Sequence, residues 1–241
     1  MLSEQQKDYF KDSKVRDANG DMIPMYHGTG TTIVAFNPDY TAQGNDQYGS
    51  GFYFTSDRSF AEAYMTATVK GDDGRDLPKL GGTDHPNVVE AYLNLKNPYF
   101  VDGAQCANMG HIELDGETAY RILLQQPDLY LPQNGPDAEV ENPLGDFFED
   151  YWDKKQYTEE EYKQFIRRLA MEYYSPTTFK MLDIFFGRHG KEFRTAMRDV
   201  TGHDGVIIRF ANGTMHAVAW FPNQVKAITN LKPTEANEIA K

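Results

Sequence analysis

Met25-Tyr26-His27-Gly28-Thr29 ends a hydrophobic run on an imidazole and a glycine, and Gly49-Ser50-Gly51-Phe52-Tyr53-Phe54-Thr55 follows with a Gly-x-Gly-aromatic strand. A second tyrosine, Tyr64, stands eleven residues beyond Tyr53. Aromatic faces grip a flat ring and attract positive charge on it. A glycine lets main-chain N–H and C=O groups come close enough to satisfy a carboxamide. Gly28, Tyr53 and Tyr64 therefore suit a slot for a flat, cationic ring that carries an amide. Breaking the bond between such a ring and a ribose passes through an oxocarbenium-like state, which demands a rigid hold on the ring and stabilisation of the sugar.

The elements that must position these residues are legible in the pattern. Residues 4–14 read as a short amphipathic helix, and Asn19-Gly20 as a hairpin turn whose second arm carries Met25 to His27. A polar loop from Asn37 to Tyr48 leads to a strand at Phe52–Phe54. A helix capped near Ser56 or Asp57 then runs through Tyr64 and Met65. Residues 70–86 read as a mobile loop, and Val88–Leu95 as a strand stopped by Asn97-Pro98. Helical spacing then dominates, with candidates at 117–126, 144–154, 158–174, 177–187 and 190–200. In the third of these, Tyr162, Phe165, Ile166, Leu169 and Tyr173 share one face, which reads as core. Strands return at Gly205–Phe210 and Met215–Phe221 around an Asn212-Gly213 turn. The expectation is an α+β domain, with residues 1–116 and 201–241 building the core and 117–200 a helical insertion.

Composition narrows the function classes. The 241 residues can bury a sizeable core, and 15 tyrosines and 15 phenylalanines are available to fill it. Thirty-six acidic against 24 basic side chains leave a net charge of −12, which disfavours generic phosphate-backbone binding. No window approaches the roughly 18 apolar residues of a membrane span, and the N-terminus has no signal-peptide pattern. The single cysteine, Cys106, suits a reducing compartment, so the cytoplasm is the default. Asp17, Asn19 and Asp21 lack the glycine and glutamate spacing of a calcium loop and read as a plain turn. His203 and His216 lack a third ligand at metal spacing, so no metal is expected.

Five stretches in order resemble the His-Tyr branch of the ADP-ribosyltransferase superfamily, and most closely the ADP-ribosyltransferase domains of phage polyvalent proteins and related toxins. They are Phe10 to Val15 leading into the Asn19-Gly20 hairpin and Tyr26-His27-Gly28-Thr29; Gly51 to Thr55 with Ala61 and Tyr64; Tyr92 to Pro98; His203-Asp204-Gly205-Val206; and Phe221 to Lys226. Roughly residues 4–101 and 201–231 are covered. The resemblance implies a split β-sheet around an NAD cleft, with NAD as substrate and no metal. It implies that His27 hydrogen-bonds the adenosine ribose, that Gly28, with Thr29 beside it, binds the nicotinamide amide, and that Tyr53 and Tyr64 sandwich the ring.

The family's third catalytic position, usually glutamate, falls on Gln224. An amide there keeps hydrogen bonds but supplies no formal charge and no base. Ala61 stands where the polymerase branch places a serine, which argues against chain elongation. The expected activity is a single transfer of ADP-ribose to a macromolecular acceptor, in a toxin or phage-related effector. A protein acceptor is slightly favoured by the acidic balance, with RNA and DNA open, and a toxin would need a neutralising partner. Two alternatives stay open: a catalytically silent module binding NAD or a partner, and an NAD glycohydrolase.

Overall fold

The computed structural model describes residues 2–38, 48–65, 68–70, 76–78, 86–104, 112–127, 159–173, 177–186 and 189–239. The chain forms two compact units, one of residues 1–37, 52–105 and 204–241, the other of 38–51 and 106–203. The expected helix at 144–154 and most of the 37–48 and 70–86 loops lie outside the described residues. Within the latter, β3 (Thr68–Lys70) and β4 (Asp76–Pro78) pair antiparallel, so part of the expected loop is a short hairpin.

The first unit is built on seven strands: β1 (Met25–Thr29), β2 (Phe52–Thr55), β5 (Asn87–Leu93), β6 (Tyr99–Asp102), β9 (Gly205–Arg209), β10 (Met215–Ala219) and β11 (Val225–Ala227). Their order is β11-β5-β1-β2-β10-β9-β6, antiparallel except for the parallel β6–β9 pair. Alternation decides what is buried. Met25, Phe52, Phe54, Ala91, Leu93, Ile207, Ala217, Ala219 and Val225 fill one apolar core.

One seam in this sheet is nearly open. Strand β1 shares five ladder positions with β5, and β2 shares four with β10, yet β1 and β2 are partners only at Tyr26 and Thr55. The sheet is split there.

Helix α1 (Glu4–Tyr9) starts on a capping box between Ser3 and Gln6. It is shorter than the helix expected over 4–14, because the chain turns at Phe10 and Lys14 N–H reaches the Leu95 carbonyl at 2.7 Å. The expected turn forms at Gly20, with φ of 87° and both Asn19 and Asp21 N–H donating to the Asp17 carboxylate. Helix α2 (Arg58–Glu62) is capped by Asp57, which accepts from Ser59 and Phe60 N–H. It ends before Tyr64, which was expected inside it. Tyr64 N–H instead closes a tight last turn on the Ala61 carbonyl at 3.0 Å.

The second unit carries β7 (Glu113–Leu114) paired with β8 (Thr177–Thr178), and the helices α3 (Gly116–Leu123), α4 (Glu159–Arg168), α5 (Phe179–Phe186) and α6 (Gly190–Thr201). Helix α4 continues into a π-helical turn at Leu169–Tyr173. Of the face read as core, Ile166 and Leu169 are buried and Phe165 half-buried, while the side chains of Tyr162 and Tyr173 lie outside the described residues. Helix α6 stops at Gly202, whose φ of 76° suits the left-handed cap. The α+β class read from the sequence is the class that forms.

Candidate active site

The split between β1 and β2 gathers most of the residues singled out by their chemistry. His27 spans it: its Nδ1 lies 2.8 Å from the Tyr53 carbonyl. A carbonyl only accepts, so this bond calls for a proton on Nδ1. The imidazole is half-buried against Phe36 and Phe54, with centroids at 5.1 and 5.4 Å. It thus lies on the core face while its ring edge replaces a missing ladder bond across the seam.

Gly28 and Tyr53 belong to the opposite face. Extending the Tyr26–Thr55 register by two residues sets Gly28 across from Tyr53, and Tyr53 pairs with Val218 on its other side. Tyr53 is half-buried between the buried Phe52 and Phe54. Gly28 is required by close approach. A Cβ there would overlap the Ala61 carbonyl oxygen and come within 3.1 Å of the Tyr64 Cβ. The last turn of α2 therefore rests directly on Gly28, and Tyr64 leaves the chain just above it. Tyr64 is 44% exposed, so its ring borders open space rather than core. Thr29 ends the strand, and its Oγ1 accepts from Thr31 N–H at 3.2 Å.

Charges fix α2 in place from the other side. Arg58 lies 5.6 Å over the Tyr26 ring and 3.6 Å from the Glu90 carboxylate, and it also pairs with Glu62 at 3.1 Å. Partial burial, with Glu90 nearby, pushes the Tyr26 phenol above its ordinary value.

Gln224 immediately precedes β11, an edge strand of the sheet. It is buried, and its three side-chain hydrogen bonds all go to main chain. Oε1 accepts from Trp220 N–H at 2.9 Å and Phe221 N–H at 2.8 Å, while Nε2 donates to the Asp204 carbonyl at 2.8 Å. Its own carbonyl takes Asn94 N–H at 2.8 Å. Asp204 in turn accepts from Lys96 and Asn97 N–H through its carboxylate. This residue ties the end of β5 to the start of β9 and to the turn after β10.

Sequence reasoning passed over Phe60, whose ring lies 5.5 Å from Tyr64, and weighed His216 only as a metal ligand, whereas its ring lies 5.1 Å from Phe60. The four-residue interval from Phe60 to Tyr64 was a usable signal. His216 carried none, because only the register His216–Thr55 brings it there. Among the described residues no three His, Cys, Asp or Glu side chains group as metal ligands. No described helix is long and apolar enough to cross a membrane.

The family model for the ADP-ribosyltransferase in polyvalent proteins matches residues 17–235 of the chain. No curated protein and no solved structure matches it.

Proposed function

The chain belongs to the family of ADP-ribosyltransferases in polyvalent proteins, and from that premise we propose that it moves one ADP-ribose from NAD to a macromolecular acceptor. The observation that carries this reading is the junction at Gly28, beside the open seam between β1 and β2, where the Ala61 carbonyl and the Tyr64 Cβ leave no room for a Cβ. Main chain at Gly28 takes the nicotinamide amide, with Thr29 next to it, and the Tyr53 and Tyr64 rings flank the pyridinium face. His27, which donates from Nδ1 to the Tyr53 carbonyl, is the residue that meets a ribose hydroxyl of NAD.

In the transfer, the bond from ribose C1′ to the nicotinamide nitrogen breaks and its electron pair leaves with nicotinamide. An acceptor nucleophile bonds to C1′, and its proton passes to solvent. Gln224 supplies neither charge nor base. With its amide committed to the main chain of Asp204, Trp220 and Phe221, it acts by holding the sheet ends together. The acceptor is therefore one that needs little help in losing its proton, and a protein is favoured over nucleic acid by the net charge of −12.

The test is incubation with NAD labelled in the adenylate, in the presence of a cell lysate, followed by protease or nuclease digestion. Label on protein that disappears in His27→Ala supports the reading. Free ADP-ribose alone indicates a glycohydrolase, and intact NAD indicates the silent module.

A further inference from the structure

Four rings run in a row beside the slot. Tyr64 is followed by Phe60 at 5.5 Å and 54°, Phe60 by His216 at 5.1 Å and 33°, and His216 by Phe210 at 4.8 Å and 66°. The far end of the row is anchored. His216 is the second residue of β10, paired with Thr55 on one side and Ile208 on the other, and Phe210 follows the last residue of β9. The near end is not part of regular structure. Tyr64 lies beyond the five-residue helix α2, and Phe60 and Tyr64 remain 45% and 44% exposed. An exposed phenol on a short turn loses rotamer freedom only where neighbours restrict it. Phe60 is a restricting neighbour, and it is itself backed by an imidazole fixed on a central strand.

We propose that Phe60 is a positioning residue for Tyr64: backed by His216 and Phe210, it holds the phenol ring over Gly28 as the outer wall of the nicotinamide slot. This rests on the NAD reading of the slot given above. The pairs are tilted or edge-on at centroid separations typical of favourable aromatic contacts, which gain beyond simple burial. Phe60 needs no contact with the dinucleotide to act. It narrows the set of Tyr64 orientations, so that less ordering remains to be done on binding. His216 contributes as a prop for Phe60; burial pushes its imidazole below its ordinary value, against the opposing pull of Asp57 at the head of α2.

The experiment is calorimetric titration of the intact chain with NAD, alongside thermal unfolding, for Phe60→Ala, Phe60→Leu, Phe60→Tyr and Tyr64→Ala. A lost aromatic pair corresponds to about a three- to tenfold weaker Kd. Phe60→Ala and Phe60→Leu should both show that loss with an unchanged unfolding midpoint, and Phe60→Tyr, which keeps the ring, should restore wild-type affinity. A purely structural role would instead lower the midpoint and be repaired by Leu. Wild-type affinity in Phe60→Ala, together with weakened binding in Tyr64→Ala, overturns the positioning role and leaves the slot standing. Unchanged affinity in Tyr64→Ala removes the slot itself, and the role of Phe60 with it.

Discussion

At the scale of single residues, Gln224 falls on the family's third catalytic position while its side-chain amide bonds to main chain. Both ends of its amide are used, the oxygen by two N–H donors and the nitrogen by a carbonyl. A glutamate could keep the first two bonds, but its second oxygen would face the Asp204 carbonyl with no proton between them. Gln224→Glu is therefore expected to destabilise the protein by about 1–3 kcal/mol, the cost of a buried acceptor left unpaired, and not to raise transfer activity. Urea unfolding and an NAD turnover assay check this together. A faster enzyme with unchanged stability would return position 224 to the reaction centre.

At the scale of elements, the site depends on β1 and α2 touching. The two are joined by the bare Cα of Gly28 under Ala61 and by Arg58 lying over the Tyr26 ring. Gly28→Ala must lift the last turn of α2 and carry Tyr64 away from Tyr53, while the five-position ladder between β1 and β5 has no reason to shift. NAD binding should weaken by about tenfold or more, as for a misplaced binding wall, with secondary structure by circular dichroism unchanged. Retained affinity in this variant would mean that the Gly28 approach has no part in the slot.

At the scale of the whole molecule, the two ends of the chain are fastened to the same edge of the first unit. Tyr9 on α1 donates to the Asn223 carbonyl at 2.7 Å, and Asn223 donates to Glu235 at 2.7 Å. The buried Lys226 on β11 gives its ammonium protons to the carbonyls of Ala236 and Glu238. Burial, reinforced by Glu235, pushes the Tyr9 phenol from 10 up to about 12. The folded chain then keeps a proton that the unfolded chain has released, so this contribution is present below pH 10 and is lost as pH rises to about 12. Thermal unfolding across that window should show a falling midpoint. In Tyr9→Phe the midpoint should start lower at neutral pH, for want of the Asn223 bond, and fall less steeply. Equal alkaline slopes in the two proteins would remove Tyr9 as the cause.

Local chemistry was legible because it is written in neighbouring residues. Asn19-Gly20 and Asn212-Gly213 marked the turns, Ser56 or Asp57 marked the cap of α2, and period-two alternation marked the strand over Val88–Leu95. The motif order from His27 to Lys226 likewise carried the family, since it depends on residue types and their succession. Tertiary structure decided what succession cannot express. It opened the seam between β1 and β2, stopped α2 short of Tyr64 by pressing Ala61 onto Gly28, brought His216 up behind Phe60, and turned the Gln224 amide onto main chain. Each of these outcomes is a pairing between segments far apart in the chain. Such pairings are set by strand register and by competition for hydrogen-bond partners, neither of which is fixed by any one stretch of sequence.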